Sequence, residues 1–200
     1  MQTTNLQVKN SNLGSRYSVI IGKNVFKQIP IRLKIICPSA KKIALVVDKK
    51  IPINFRNKLK NLLKNYEVHL FEYSVNEKFK SLSNVEKLVE KCLLKNFNRN
   101  DILISFGGGI LGDLGAFAAS IIKRGISFVN IPTTLLAQVD SSIGGKTGVN
   151  SRLGKNLIGT FYQPKLVVSD VEILKSLPQR ELICGYAEIL KHSLILKNNF

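Results

Sequence analysis

The chain has 200 residues, of which 44% are hydrophobic, and its 30 Lys and Arg against 13 Asp and Glu give a formal net charge of +17. This length corresponds to one ordinary domain, or to one domain and the start of another, with enough apolar residues to bury a core. The lysines are scattered and no basic motif is interleaved with aromatic residues, so the charge predicts a solvated surface and excludes nucleic acid as a partner.

The cysteines and the apolar stretches indicate the cellular compartment of the chain and whether it enters a membrane. Cys37, Cys92 and Cys184 lie far apart and form no C-x-x-C pattern, which predicts reduced thiols in the cytoplasm. The polar start has no apolar signal-peptide core. The longest apolar stretch, 102–122, is broken by glycines and by Asp113, so it predicts buried strand and helix and no membrane partner.

Strands and helices are predicted to alternate along the first half of the chain. The patterns indicate strands at 4–9 and 17–21 with a hairpin turn over Asn12-Leu13-Gly14, a helix at 24–36, a strand at 43–47, a helix at 53–65, a strand at 66–73, a helix at 83–96 and a strand at 101–105. Asn24 and Asn84 are predicted helix caps, and Pro30 is a predicted break. This alternation predicts an α/β fold with a Rossmann-like parallel sheet.

Three segments follow predicted strands and are expected to converge. They are Asp48, the loop at 75–80 and the glycines at 107–109. Because ligands bind at the carboxyl ends of parallel strands, we expect one crevice there. The carboxylates of Asp48 and Glu77 can accept hydrogen bonds from a cofactor ribose, and Lys80 can balance a phosphate; ordinary surface charge is the alternative.

The glycines fit the G-x-G-x-x-G pattern from Gly107 to Gly112. Glycines after a strand let the backbone approach a pyrophosphate, and the next helix adds N–H donors and positive potential. The acidic residue usual about 20 positions later is missing, since Asp113 comes at once and Asp140 too late. A turn needed only for close packing of helix on strand is the alternative interpretation.

The stretch 102–164 and the residues after it carry a denser pattern. It comprises Gly107-Gly108-Gly109, Gly112-Asp113, Arg124-Gly125, Pro132-Thr133-Thr134, Val139-Asp140-Ser141-Ser142, Gly144-Gly145-Lys146, Gly154-Lys155-Asn156, Pro178, Arg180-Glu181, Gly185 and Ala187-Glu188 to Lys191. This pattern resembles the 3-dehydroquinate synthase family, densely from about residue 100 and sparsely before. The alternatives are another sugar phosphate cyclase, a metal-dependent alcohol dehydrogenase, and a catalytically dead NAD-binding domain.

The resemblance implies an enzyme, a carbon–oxygen lyase that acts as a homodimer with NAD and a divalent metal, zinc or cobalt. It would convert a sugar acid phosphate, 3-deoxy-arabino-heptulosonate 7-phosphate, to 3-dehydroquinate and phosphate. The implied cofactor contacts are Asp48, Val75, Asn76, Glu77, Lys78, Phe79, Lys80, Gly108, Gly109, Ile110, Leu111, Gly112, Asp113, Thr133, Thr134, Asp140, Ser141, Lys146, Lys155, Ile173, Leu174, Lys175 and Ser176. The implied catalytic residues are Arg124, Asp140, Lys146, Asn156 and Lys191, and the implied metal ligand is Glu188. Asn76 stands where the family has glycine, and we expect it to take the left-handed conformation.

A last helical pattern runs from Gln179 to Asn198. Glu188, Lys191 and His192 lie on one side of it, and a surface Glu–Lys pair is the alternative to a metal and substrate role. The resemblance implies an NAD-binding domain at 1–178, the first helix of a helical domain at 179–200, and two histidine ligands beyond residue 200. By ligand count, the chain alone is expected to be inactive as a synthase and to bind zinc poorly.

Overall fold

A central sheet of seven strands organises the chain in a computed structural model, which describes residues 3–10 and 15–195. The strands are β1 (Thr4–Asn10), β2 (Ser15–Gly22), β3 (Lys42–Asp48), β4 (Glu67–Tyr73), β5 (Ile102–Gly107), β6 (Ser127–Pro132), β7 (Lys146–Ser151), β8 (Gly154–Phe161) and β9 (Leu166–Asp170). The helices are α1 (Ile29–Ile36), α2 (Ile53–Leu62), α3 (Leu82–Leu94), α4 (Gly109–Ile121) and α5 (Gln179–Ile195).

The sheet has the order β1-β2-β9-β6-β5-β3-β4, and β7 and β8 form a separate antiparallel pair. Within the sheet, β1 runs antiparallel to β2, whereas the pairs β2–β9, β9–β6, β6–β5, β5–β3 and β3–β4 are parallel. The predicted α/β class with a mostly parallel sheet is therefore confirmed. The antiparallel pairing of β1 and β2 fits the predicted hairpin, whose turn at 12–14 lies outside the described residues, as do residues 196–198 of the predicted last helix.

The two faces of the sheet bury separate cores, because successive side chains of a strand point to opposite faces. In β3, Ile43, Leu45 and Val47 belong to the core under α1 and α2. Ala44 and Val46 belong to the core under α3 and α4. Both faces of the central strands are covered, which explains why every residue of β5 is buried and why it begins with the continuous apolar run Ile102 to Ile104 instead of an alternating pattern.

Both predicted helix caps are wrong. Asn24 is left-handed (φ 59°) and its side chain makes no cap bond; its N–H donates instead to Oδ1 of Asp170 at 3.0 Å. Asn84 lies inside α3. Pro30 does not break a helix either: a 3₁₀ turn over Val25–Gln28 precedes α1, and Pro30 lies in its first turn, where no N–H bond is lost. None of the described helices has the length and apolar content needed to cross a membrane.

The stretch after Asp140 holds two elements that the sequence patterns did not predict. The β7–β8 hairpin occupies 146–161, so Lys146 begins a strand and does not lie in a loop. Gly148 pairs with Gly159, and a Cβ on Gly148 would lie only 2.7 Å from the carbonyl oxygen of Ile158. β9 then enters the sheet between β2 and β6.

The cysteine environments predict selective alkylation. Cys37 and Cys92 are buried and Cys184 is exposed, and all three are free. Burial raises the pKa of both buried thiols, that of Cys92 to about 12. Because the thiolate is the nucleophile, iodoacetamide should label only Cys184 in the folded chain, as read by mass spectrometry of peptides. The Cys184→Ser variant should stay unlabelled until denaturant is added; labelling of Cys92 at the rate of Cys184 would contradict the described packing.

Candidate active site

A cavity of about 720 Å³ lies between Asp113 of α4, the segment at 140–144 and the β7–β8 hairpin. It is lined by Asp113, Asp140, Ser141, Ile143, Gly144, Lys146, Thr147, Gly148, Asn156, Leu157, Gly159, Thr160 and Phe161. Its volume is that of a small-molecule site. Five residues predicted as cofactor or catalytic contacts, Asp113, Asp140, Ser141, Lys146 and Asn156, are thus brought to one place.

The first turn of α4 presents backbone donors at the edge where the parallel strands end. α4 begins at Gly109, and no described side chain caps its amino terminus. Unpaired N–H groups at the start of a helix, together with the helix dipole, form an anion site. A Cβ on Gly109 would lie 2.8 Å from Oγ of Ser141, and one on Gly108 would lie 3.1 Å from Cγ2 of Thr134. The glycines of this turn therefore also allow the segment after β6 to pack closely against the start of α4.

The packing interpretation of the glycines holds further along α4. A Cβ on Gly112 would lie 3.2 Å from Nδ2 of Asn130. One on Gly115 would collide with Oγ of Ser105 in β5. Close packing therefore explains Gly112 and Gly115, whereas Gly108 and Gly109 serve both the anion site and packing.

Lys80 lies at the centre of a buried polar cluster beside the cavity. Its Nζ is 2.5 Å from Oδ2 of Asp113 and 2.5 Å from Oδ1 of Asn156, and the residue is only 7% exposed. Burial raises the pKa of the Asp113 carboxyl, Lys80 acts to lower it, and the carboxylates of Asp140 and Glu77 raise it further. The cluster joins the loop after β4, the first turn of α4 and the hairpin.

The loop before Lys80 keeps its shape by a bond that the sequence patterns did not predict. Asn76 is extended (φ −151°), not left-handed as expected, and its Oδ1 accepts from the N–H of Phe79 at 3.0 Å. This side chain caps the 3₁₀ turn at Glu77–Phe79. Oε1 of Glu77 accepts from Nδ2 of Asn150 at 2.7 Å and lies 3.8 Å from Nζ of Lys155.

The segment after β6 carries Asp140 into the site. Thr133 donates its N–H to the carbonyl of Gly107 (2.9 Å), and Oγ1 of Thr134 accepts from the N–H of Ala137 (3.2 Å). A π-type turn over Ala137–Ser141 follows, a feature frequent at functional sites. Both predicted threonine contacts therefore stand beside the glycine turn.

A carboxylate pair and a histidine meet where α5 crosses this segment. α5 approaches closely at Gly185, where a Cβ would lie 2.6 Å from Cβ of Leu135. As a result, the ligand atoms of Asp140, Glu188 and His192 all lie within 4.8 Å of one another. The sequence-based ligand count considered Glu188 and His192 and overlooked Asp140, which comes from another element.

These three side chains fit a divalent metal by donor chemistry. Ligands of one zinc ion at about 2.1 Å cannot be more than about 4.2 Å apart. Nε2 of His192 and Oε1 of Glu188 are 3.9 Å apart and satisfy that limit. Lys191 also pairs with Glu188, so a metal ion would compete with its ammonium.

Some predicted site residues are not brought to the cavity. Arg124 is exposed and left-handed (φ 66°), and it lies between the end of α4 and the start of β6, at the opposite edge of the sheet. Asp48 does not line the cavity, and its Oδ1 accepts from the N–H of Lys50 (3.0 Å) in its own turn, so its contact with a cofactor stays a prediction. Ile173 is buried in a core, and Oγ of Ser176 donates to the carbonyl of Ile173 (2.7 Å).

The side chains of the remaining predicted cofactor contacts pack in the core, pair with a neighbouring residue or are exposed. Val75 and Leu111 are buried in the core, and Phe79 packs on Tyr73 with ring centroids 4.9 Å apart. Leu174 packs against a core, and Lys175 pairs with Glu172. Lys78 is exposed, and Ile110 is half-buried. For these residues the side chains give no sign of a ligand role.

Comparison with known proteins identifies the family. The family model described as "3-dehydroquinate synthase N-terminal" matches residues 70–184. The 3-dehydroquinate synthase of Pelagibacter ubique is 53% identical over 196 residues, which are 98% of this chain and 53% of that protein. That of Bartonella bacilliformis is 44% identical over 190 residues, covering 92% of this chain and 50% of that protein. The chain spans about half the length of the curated relatives it matches.

Solved structures of related enzymes share the fold. A 2-deoxy-scyllo-inosose synthase in complex with carbaglucose-6-phosphate, NAD+ and Co2+ superposes with a TM-score of 0.89 at 29% identity, over 98% of this chain and 54% of that one. The 2-epi-5-epi-valiolone synthase of Streptomyces hygroscopicus, with NAD+ and Zn2+, gives 0.77 at 30% identity, over 88% and 48%. A butanol dehydrogenase of Thermotoga maritima, at 0.70 and 16% identity over 88% and 48%, shares the fold alone.

The buried position of Lys80 predicts a stability defect that depends on Asp113. Removing one partner of a buried ion pair costs about 3–5 kcal/mol. Because the Asp113 side chain is still 22% exposed, we expect Lys80→Met to lower the free energy of unfolding by about 2 kcal/mol at neutral pH, measured in urea. The loss should be absent in acid, where Asp113 is protonated, and grow as the pH rises through its raised pKa.

The double variant Lys80→Met/Asp113→Asn is the control for that stability defect. It removes both charges, so most of the lost stability should return. Unchanged stability of the single variant, or equal losses in the single and double variants, would contradict a charge-based role for Lys80.

Proposed function

The chain belongs to the 3-dehydroquinate synthase family, and from this membership we propose that it is the NAD-binding part of such a synthase, joined to the first helix of a metal and substrate domain. The proposed boundary is the one at 178, directly before α5. The observation that carries the proposal is a cavity that unites Asp113 of α4 with Asp140, Lys146 and Asn156, next to the uncapped start of that helix.

The cofactor half of the site suits a dinucleotide. We place the pyrophosphate at the uncapped first turn of α4, against Gly108 and Gly109, because backbone N–H groups and the helix dipole attract it. Glu77, at the carboxyl edge of the sheet, is proposed to accept hydrogen bonds from ribose hydroxyls. Lys80 is proposed to hold this loop through Asp113 rather than to contact a phosphate, because its ammonium is already paired and buried.

The substrate half of the site suits an anionic sugar. Lys146 and Asn156 line the cavity, and Lys191 lies beside Glu188, so their cationic and amide groups can form strong hydrogen bonds with carboxylate and phosphate groups. Glu188, with Asp140 and His192 nearby, is proposed to hold the divalent metal, zinc or cobalt.

The chemistry divides between bound groups and this chain's residues. When bound, NAD supplies reversible hydride removal and a divalent ion polarises the reacting hydroxyl. Asp140, which lines the cavity, is proposed to orient that hydroxyl and accept its hydrogen bond. Lys146 and Asn156 line the same cavity and are proposed to hold the leaving phosphate, which itself accepts the proton lost in the elimination. The overall reaction is then that of a carbon–oxygen lyase.

The alternative within the superfamily is a different sugar phosphate cyclase. Identity favours the synthase, at 53% to the Pelagibacter enzyme against 29% and 30% to the two other cyclases. The homodimer implied by the resemblance stays a prediction, as does a catalytic role for Arg124.

NAD binding tests the proposed function directly. We expect the purified chain to bind NAD in isothermal titration calorimetry. Gly109→Ala should weaken binding at least tenfold, since a Cβ obstructs the approach of a pyrophosphate to the first turn of α4. Because that Cβ would also meet Ser141, itself a predicted cofactor contact, the control compares Gly109→Ala/Ser141→Gly with Ser141→Gly alone. The double variant should melt like the unmutated chain and still bind NAD more weakly than Ser141→Gly. No NAD binding by the unchanged chain would refute the proposal.

Zinc affinity tests the metal half of the site. Zinc should bind weakly, because it must displace Lys191 from Glu188. Lys191→Met should therefore tighten zinc binding several-fold, whereas Glu188→Gln should abolish it. Both affinities can be measured by competition with a zinc indicator. A change in the same direction for both variants would contradict this competition.

A further inference from the structure

The side chain of Asn150, near the tip of the β7–β8 hairpin, connects two residues of the proposed site. Its Nδ2 donates to Oε1 of Glu77 at 2.7 Å. Its Oδ1 accepts from the backbone N–H of Asn156 at 3.0 Å. Only this orientation of the amide pairs both ends, because a carboxylate accepts and an N–H donates.

The backbone of Asn150 fixes where this amide stands. Its N–H donates to the carbonyl of Lys80 at 2.9 Å, and it forms an isolated parallel bridge with Ser81. The hairpin tip is therefore held in register against the loop that carries Glu77. A side chain anchored in this way can orient its neighbours at a small entropic cost.

Both partners of the Asn150 amide need support. Asn156 is left-handed (φ 58°), a conformation that costs free energy in a residue other than glycine. It is fixed at its N–H by Asn150 and at its Oδ1 by Lys80. The Glu77 side chain is 49% exposed, and its described polar contacts, with Asn150 and Lys155, both end on Oε1.

We propose that Asn150 is a positioning residue for both halves of the site. One end of its amide holds Glu77 so that its second carboxylate oxygen can face the cofactor ribose. The other end holds Asn156 in the conformation that presents it to the cavity. The inference rests on the proposed function, since it assigns Glu77 to the cofactor and Asn156 to the substrate.

The Asn150→Asp variant separates the two ends of the amide. It keeps an acceptor for the N–H of Asn156 but replaces the donor that faces Glu77 with a second carboxylate. We expect NAD affinity to fall about tenfold by calorimetry, the effect of losing one hydrogen bond to a charged group. The melting temperature should change little, because the bonds of the Asn150 backbone and the Asn156 N–H remain.

Ser151→Ala is the matched control for disturbance of the hairpin tip. The Ser151 hydroxyl accepts from the N–H of Leu153 at 3.1 Å within the tip. Removing it should leave NAD affinity within about twofold of the unchanged chain, since no bond to the cofactor loop is lost. A loss equal to that of Asn150→Asp would assign the effect to the hairpin and overturn the inference.

A double-mutant cycle with Glu77→Gln, read out as NAD affinity, distinguishes a positioning role of Asn150 from a purely structural one. In the Glu77→Gln background, the new amide can donate to the carboxylate that Asn150→Asp introduces and restore the bond with donor and acceptor exchanged. The further loss on adding Asn150→Asp should then be less than about twofold. Equal losses in both backgrounds, or normal NAD affinity of Asn150→Asp alone, would overturn the inference while the unchanged chain still binds NAD. No binding by the unchanged chain would overturn the proposed function and this inference with it.

Discussion

The buried ammonium of Lys80 is the contact on which the arrangement of the site depends. A charge taken out of water is tolerated only when it is paired and hydrogen-bonded. Lys80 meets this condition with Asp113 from α4 and Asn156 from β8, each at 2.5 Å. Three segments that are distant in sequence must therefore come together before the charge is compensated. The hairpin is thus fixed against α4 at Asp113, and the cavity between them has a defined shape.

Close backbone approaches set the second constraint. The segment after β6 lies against the glycine turn, where Gly109 leaves room for Ser141. α5 lies against the same segment at Gly185, where a side chain would meet Leu135. Asp140 consequently stands between an anion site on one side and Glu188 on the other. The glycines serve phosphate binding and packing together, because the layers that form the site must approach closely to place both groups around one cavity.

The sequence predicted the local elements better than their tertiary contacts. β5 and α4 were predicted because an apolar run, glycines and helical spacing are local signals. The β7–β8 hairpin was missed although Thr147, Val149, Ile158 and Thr160 alternate in a pattern typical of strands, because its glycines indicated a loop. Asn76 was assigned the left-handed state by analogy with glycine, yet its side chain caps a turn, a local competition that single-residue propensity does not resolve.

Two lysines of the site, Lys191 and Lys80, are also held by carboxylates, and on the proposed function this links metal to substrate. Lys191 pairs with Glu188, and Lys80 pairs with Asp113. A divalent ion that takes Glu188 releases the ammonium of Lys191, which can then bind an anionic group of the substrate. Linkage is reciprocal, so a substrate that recruits Lys191 also frees Glu188 for the metal. Lys80 cannot be released in the same way, because its removal would leave Asp113 buried beside Asp140 and Glu77 without a counter-charge. On the proposed function, the Lys191–Glu188 pair therefore separates when metal and substrate bind, whereas the Lys80–Asp113 pair stays intact and maintains the fold around the site.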